Sequence, residues 1–472
     1  MCLFYLILVV LIVSFLIWYK FNYYWYKSCL KNFKEIKYFP TNTTDFYNYL
    51  TTQSINDKMT KNCYKMFGPF PLFITTDEKL FSIILGSSKH INKPSQLSLF
   101  GKAISQTLFF AKNDLWRHRR RLFNSFFDYG SILNQFEINN ERTNEFIDNF
   151  KSKLSNDKEL IDLNLIINEF ILGQVSINVM GENLLKINPE VLDILGFLNQ
   201  QTVRKALVCT DLFKVWEIFK DLWLERKKIT VLKNCIKKFL QKRINEKRNF
   251  THGKRMIFVD FLIKEMNENN VSEEYVIQEL LLFLFAGYET TAHSISFALY
   301  LLSKHPEIQE NVIKEIKAIT SNDITHQHLQ KMDYLDLVIK ESLRMYTTAT
   351  FFFRILEENV EFEGTTLPKG LIVLFNNTGI HKDPTLYLEP EKFKPERFLS
   401  NEFKSKRFIY SPFCLGIRQC IGKRFAENTL KLTLAKFVLN YKLFDANHNL
   451  NLAIGIGLTS LNGIKVFIEK RR

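Results

Sequence analysis

The run Phe413-Cys-Leu-Gly-Ile-Arg-Gln-Cys-Ile-Gly422 constrains this chain more than any other stretch. It sets one thiol, Cys420, between Gly416 and Gly422, with Phe413 seven positions upstream and Arg418 two before it. A lone cysteine is ordinarily a small buried hydrophobe. Here the flanking residues predict a loop instead. Gly416 admits backbone angles that a side chain blocks, and Gly422 lets a following helix pack close. Arg418 adds a charge suited to a carboxylate. Such a loop can bring a thiolate up to a flat ligand.

The 472 residues suit one large domain preceded by a short apolar segment. Cys2 to Tyr19 carry no charge. As a helix rising about 1.5 Å per residue, they can just cross a hydrocarbon core of roughly 30 Å. A cleaved signal peptide would want basic residues before the apolar run and a small-residue cleavage site after it. This stretch has none before, and Lys20, Lys27, Lys31, Lys34 and Lys37 follow among aromatics. Residues 1–19 are therefore expected to be a retained anchor, 20–40 a basic linker, and 41–472 the folded body on the cytosolic side. Trp18 to Tyr26 would lie at headgroup level.

Seven scattered cysteines make no disulfide framework, and without closely spaced pairs they make no structural zinc site. The sequons at Asn42, Asn249 and Asn270 are chance matches if the body faces the cytosol. The net charge of +15 comes without an interleaved aromatic and basic platform, so nucleic acid is not the expected partner. A membrane surface or an acidic protein explains the charge better.

From about Asp114 to Pro306 the chain is helical in period and almost free of proline. Phe67 to Thr76 reads as a turn and a strand that its prolines confine to a sheet edge. The aromatic and basic segment Val208 to Lys228 fits either a core-facing or a membrane-touching helix. A long apolar helix is predicted over Val276 to Ser303, another over Tyr334 to Met345, and a last one over Arg424 to Leu439. Strand-like pieces gather between Phe351 and Thr378, with Pro368-Lys-Gly370 as a turn. Helices dominate and strands are segregated, so the fold class is mainly α (α+β), a large helical domain with small sheets.

The long helix contains Phe285-Ala-Gly-Tyr-Glu-Thr-Thr-Ala292. A glycine in mid-helix costs about 1 kcal/mol relative to alanine, so Gly287 needs a reason. Thr290 shares its face and can bond back to a helix carbonyl. Glu289 places a carboxylate in apolar surroundings, and an acid beside an alcohol can relay protons. Glu341-Ser-Leu-Arg344 sets opposite charges one helical turn apart. Trp116-Arg-His-Arg-Arg120 opens an amphipathic helix.

Taken together and in this order, these elements resemble the cytochrome P-450 family of haem-thiolate monooxygenases, in its membrane-anchored microsomal form. Phe-x-x-Gly-x-Arg-x-Cys-x-Gly is its haem-binding signature, and Ala-Gly-x-Glu-Thr its oxygen-activation motif. The resemblance implies haem b held non-covalently, with the Cys420 thiolate as axial ligand, where it favours O–O cleavage. It implies that Phe413 and Arg418 belong to the cofactor loop, that Trp116, Arg120 and Arg354 reach the haem propionates, and that Glu289 and Thr290 deliver protons. Glu341, Arg344 and Arg397 become a buried structural network, and His381 a structural or propionate-contact histidine. Ala286 stands where some fatty-acid hydroxylases of the family carry a glutamate bonded to haem.

The chain departs from the family pattern in lacking a proline-rich hinge after the anchor, in an apparently shortened first sheet, in having no proline after Glu-x-x-Arg, and in carrying Ile417 in the loop. The resemblance further implies an endoplasmic reticulum protein taking electrons from NADPH-cytochrome P-450 reductase, with cytochrome b5 as a second donor. One oxygen atom from O2 would enter a lipophilic substrate: fatty acid, sterol, terpenoid or xenobiotic. Phe100, Phe283, Phe285, Phe351 and Phe352 are candidates to line its pocket. Two other functions are consistent with the same fold, a reductase-independent isomerase or dehydratase of oxygenated lipids and a non-catalytic haem-binding membrane protein. The Glu289-Thr290 pair argues against the former.

Overall fold

The computed structural model describes residues 2–37, 39–40, 42–52, 61–67, 69–95, 102–155, 157–208, 215–247, 257–400 and 408–471. Its longer helices are α1 (Cys2–Cys29), α2 (Thr43–Thr52), α3 (Asn113–Asn124), α4 (Tyr129–Lys153), α5 (Leu163–Met180), α6 (Val191–Val208), α7 (Val215–Lys247), α8 (Phe258–Glu268), α9 (Glu273–Lys304), α10 (Pro306–Ile319), α11 (Asp333–Met345) and α12 (Lys423–Asn440). The expected mainly helical fold is what forms.

Helix α9 is the axis of the body. Its N-terminus is capped by Ser272, whose hydroxyl accepts from the Tyr275 amide at 3.2 Å, and Glu273 and Glu274 occupy the first turn. Pro306 then starts α10, where its missing N–H costs nothing. Between these ends α9 is buried on almost every side, packed on α5, α12, α11 and α7. Gly287 finds its reason here. A Cβ at that position would lie 3.1 Å from Val175 of α5, so the glycine lets two core helices approach.

The described strands form four small sheets. The largest has the order β1 (Lys34–Glu35), β2 (Asn62–Phe67), β3 (Phe70–Thr75), β8 (Ile372–Asn376), β5 (Phe351–Ile355). A second sheet sets β12 (Lys465–Lys470) between β4 (Glu159–Asp162) and β9 (Tyr441–Asp445). Two hairpins complete the set, β6–β7 (Val360–Phe362, Thr365–Leu367) and β10–β11 (Leu452–Ile454, Leu458–Ser460). The expected edge strand is in fact internal, since β3 lies between β2 and β8. Pro71 is tolerated because it precedes the point, Leu72, at which pairing to β8 begins.

The N-terminal helix is longer than its uncharged part and continues through the first basic residues to Cys29. Its final turns dock on the large sheet. Trp18 meets Phe70 with ring centroids 5.9 Å apart, and Leu30 is fully buried beside Phe73 and Leu367. Among the described residues, Leu163–Met180 is the one helix with the length and hydropathy to cross a membrane, and most of it is buried in the protein as core helix α5.

Candidate active site

The segment from Ile409 to Gly422 is held from beneath before it reaches Cys420. Tyr387 Oη donates to the Ile409 carbonyl at 3.0 Å, and Tyr410 Oη to the Lys340 carbonyl at 3.1 Å. The Ser411 amide donates to His381 Nε2 at 3.0 Å, while Asn377 Nδ2 donates to the Ser411 carbonyl at 3.0 Å. His381 is fully buried, and burial with Arg344 nearby lowers it to about 3, so it stays a neutral acceptor. Of its two expected roles, the structure supports the structural one.

The loop then closes on itself. The Cys420 amide donates to the Phe413 carbonyl at 2.8 Å and the Gln419 amide to the Gly416 carbonyl at 3.1 Å. Gly416 has φ of +72°, and a Cβ there would overlap the Leu85 carbonyl, so only glycine fits. Gly422 is different: a Cβ would sit an ordinary 4.0 Å from Phe127, and close helix packing does not explain it. Cys420 is enclosed by protein mass, which pushes its thiol up to about 11, yet its side chain is open to solvent. A group at the wall of a recess satisfies both.

Four cations converge near this loop: Lys93, Arg120, Arg354 and Arg418. Burial lowers all four, and Arg418 falls to about 9 with Arg354 and Arg120 adding repulsion. Arg418 does not meet a carboxylate. Nε donates to the Ile91 carbonyl at 2.9 Å, Nη1 to Leu108 at 3.3 Å and Nη2 to Ala111, with the guanidinium 4.3 Å over the Trp116 ring. Arg120 Nη1 donates to the Gln419 carbonyl at 2.8 Å and Arg354 Nη1 to Phe353 at 2.7 Å. Among the described residues, none of the four pairs with an acid. Buried cations without counter-charge are costly. A flat dianion beside a thiol fits this set of donors, as haem with its two propionates would.

On α9, Phe283, Ala286, Gly287 and Thr290 form the accessible stripe of an otherwise buried helix. Thr290 Oγ1 donates to the Ala286 carbonyl at 2.7 Å, the expected back-bond. Glu289 lies off this stripe. It is buried, its Oε1 accepts from Asn199 Nδ2 of α6, and His293 Nδ1 lies 3.9 Å away. Burial pushes its carboxyl up to about 8, so it is mostly protonated at neutral pH.

Below the loop, Glu341 and Arg344 are completely buried. Arg344 donates Nε to Glu341 Oε2 at 2.8 Å and Nη2 to Oε1 at 2.9 Å, and Arg397 Nε reaches Oε1 at 2.8 Å. The remaining guanidinium protons go to carbonyls of His381, Pro390, Leu388 and Lys392. Glu341, Arg344 and Arg397 thus share one hydrogen-bonded cluster.

Not every expectation survives. Phe352 stacks on Phe375 inside the sheet and is core, while Phe283, half-buried on the accessible stripe, also packs on Phe123 and Phe258. Phe351 meets Phe46 at 5.5 Å. Phe100 lies outside the described residues, as do the side chains of Phe213, Trp216 and Phe219; Trp223 is described and is 68% exposed. Sequence reasoning passed over Lys93, Asn199 and Glu279. Glu279 is fully buried in α9, is raised to about 7, and accepts the Leu108 amide at 2.8 Å. A carboxylate in an apolar helix was the available signal for Glu279; Lys93 and Asn199 offered none.

The family profile described as Cytochrome P450 matches residues 42–457. The chain is 28% identical to cytochrome P450 3A13 of Mus musculus over 409 residues, covering 80% of each chain. It is 27% identical to cytochrome P450 3A5 of Homo sapiens, covering 81% of this chain and 80% of that one. With cytochrome P450 4V2 of Homo sapiens the identity is 27% over 429 residues, covering 86% and 81%.

Proposed function

The chain belongs to the cytochrome P450 family of haem monooxygenases, which bind haem b through a cysteine thiolate, and from that premise we propose that Cys420 is the axial ligand of an anchored enzyme oxidising lipophilic substrates. The observation that carries the reading is a cluster of four cations, Arg354 buried and Lys93, Arg120 and Arg418 half-buried, with no acid paired to them among the described residues and an accessible thiol beside them. Arg354, Lys93 and Arg120 would hold the propionates of a bound haem. Arg418, spent on three carbonyls, ties the loop to residues 91–111 and adds its charge to theirs. Trp116 supports the Arg418 guanidinium from below.

When bound, haem supplies dioxygen binding and reduction, and the thiolate favours O–O cleavage. The chain's own residues manage protons and orientation. Glu289, neutral at physiological pH, holds a transferable proton. Thr290, on the accessible stripe, passes it on when its hydroxyl turns from the Ala286 carbonyl. Glu341, Arg344 and Arg397 keep the ground beneath the loop rigid. Electrons come from an NADPH-dependent reductase, with cytochrome b5 as an alternative donor. The basic face of α3 suits an acidic docking partner, which raises association rate more than affinity.

The uncharged start of α1, followed by lysines, supports a single-pass anchor in the endoplasmic reticulum membrane with the body in the cytosol. The apolar stripe of α9 supports a lipophilic substrate drawn from fatty acids, sterols, terpenoids or xenobiotics. The test is a spin-shift screen of the purified protein against a lipid and sterol library, followed by product analysis with reductase and NADPH. A spin shift and an oxygenated product are expected. Product formed equally without NADPH would replace this reading with a reductase-independent one.

A further inference from the structure

The acid beside Thr290 does not stand alone, and its partner lies on another helix. Asn199 of α6 is 5% exposed and touches two other elements at once. Nδ2 donates to Glu289 Oε1 on α9, and Oδ1 accepts the amide of Ile456 at the tip of the β10–β11 hairpin. The second contact decides the first. An amide side chain offers one acceptor end and one donor end, and the backbone N–H of Ile456 can only donate. The Oδ1 end must therefore face the hairpin, which leaves the NH2 end facing Glu289.

The hairpin tip is itself fixed. A Cβ at Gly455 would overlap the Asn199 amide, so glycine there allows the close approach. The Gly455 amide donates to the Gly457 carbonyl at 2.9 Å, and the Leu458 amide to the Thr348 carbonyl at 3.0 Å. Behind Glu289, His293 Nδ1 lies 3.9 Å away and Tyr288 feels its charge, both on its own helix. The partner from α6 is an uncharged amide.

We infer that Asn199 is a positioning residue for the monooxygenase reaction: by donating to Glu289 Oε1 it makes that oxygen the carbonyl end of the neutral acid and leaves the transferable proton on Oε2. A carboxylic acid has one acceptor-only oxygen and one that carries the proton. A fixed N–H donor selects between them. The hairpin, by holding Oδ1, prevents the amide from turning over and offering an acceptor to the same oxygen. Proton delivery in this chain thus depends on α6 and the hairpin as well as on α9.

The inference rests on the proposed role of Glu289, and the experiment separates the two. Holoprotein carrying Asn199→Leu, Glu289→Gln or both is compared with wild type for two readings. One is the infrared C=O stretch of the neutral carboxyl, identified as the band lost in Glu289→Gln. The other is peroxide released per NADPH consumed with reductase and dodecanoic acid as probe. Asn199→Leu is expected to move the band to higher wavenumber and to raise the peroxide fraction severalfold. The double variant should be no worse than Glu289→Gln, because residues acting through one another are not additive. Asn199→Ala, which carries no side-chain donor, supplies the same readings if the leucine variant loses haem. An unmoved band, or a double variant worse than both singles, overturns the role of Asn199. A wild-type peroxide fraction in Glu289→Gln itself would instead remove the proton-donor reading on which the inference stands.

Discussion

Two groups of buried and half-buried arginines lie near the cysteine loop, and they are built on opposite plans. Beneath it, Arg344 and Arg397 share Glu341, and their other protons end on carbonyls. Beside it, Arg354, Arg418 and Arg120, with Lys93, crowd together with no acid among the described residues. The first group is closed and serves the fold. The second is electrostatically unfinished and reads as a receptor for an anion. Burial alone does not separate the two roles; counter-charge does.

The comparison breaks most sharply at Glu341. Glu341→Ala would strand two guanidinium groups in the core, and the expected loss is roughly 3–5 kcal/mol of stability, read by denaturant titration with and without haem. Arg354→Met should behave in the reverse way. The protein stripped of haem keeps or gains stability, because a repelled charge is gone, while haem dissociates about tenfold faster or more, as expected for losing a charged hydrogen bond worth about 1.5–3 kcal/mol. Equal destabilisation of haem-free protein by both variants would erase the distinction.

Acid titration probes the same contrast more gently. His381 supports the closed side as a neutral ring, at about 3 in the fold against an ordinary 6.5. Between those values the unfolded chain binds the extra proton, so stability falls as pH drops below about 6.5. Glu289 has the opposite sign. Its carboxyl is raised to about 8 from 4.5, so the folded state holds the extra proton and stability falls as pH rises through that window. Glu289→Gln should flatten this upper limb in thermal melts, and an unchanged limb would contradict the neutral acid. The smallest effect is expected at Gly287, where alanine gains helix propensity of about 1 kcal/mol but presses on Val175 at 3.1 Å. A net change near zero is predicted from denaturant midpoints.

The closed group was legible in the chain and the open one only in part. Glu341 and Arg344 are one turn apart, so spacing suggested a pair, but its burial and the place of Arg397 in it came from the family resemblance. Long helices were legible too, because apolar period and caps such as Ser272 and Pro306 are local signals. Lys93 joins the open group from far along the chain, and Asn199 reaches Glu289 across 90 residues. No periodicity marks such contacts. Pro71 misled for a related reason: whether a proline stands at an edge depends on where the neighbouring strand begins, which is a tertiary fact. The bonds of Arg418 to the carbonyls of Ile91, Leu108 and Ala111 were not foreseen, since such contacts leave no mark in the sequence.

The central claim is that the open group and Cys420 together receive haem through a thiolate, and the reduced-CO difference spectrum tests it most directly. Wild type should give the band of thiolate-ligated haem, Arg354→Met the same band from less retained haem, and Cys420→Ser no such band. A thiolate-type band that persists in Cys420→Ser would contradict the account.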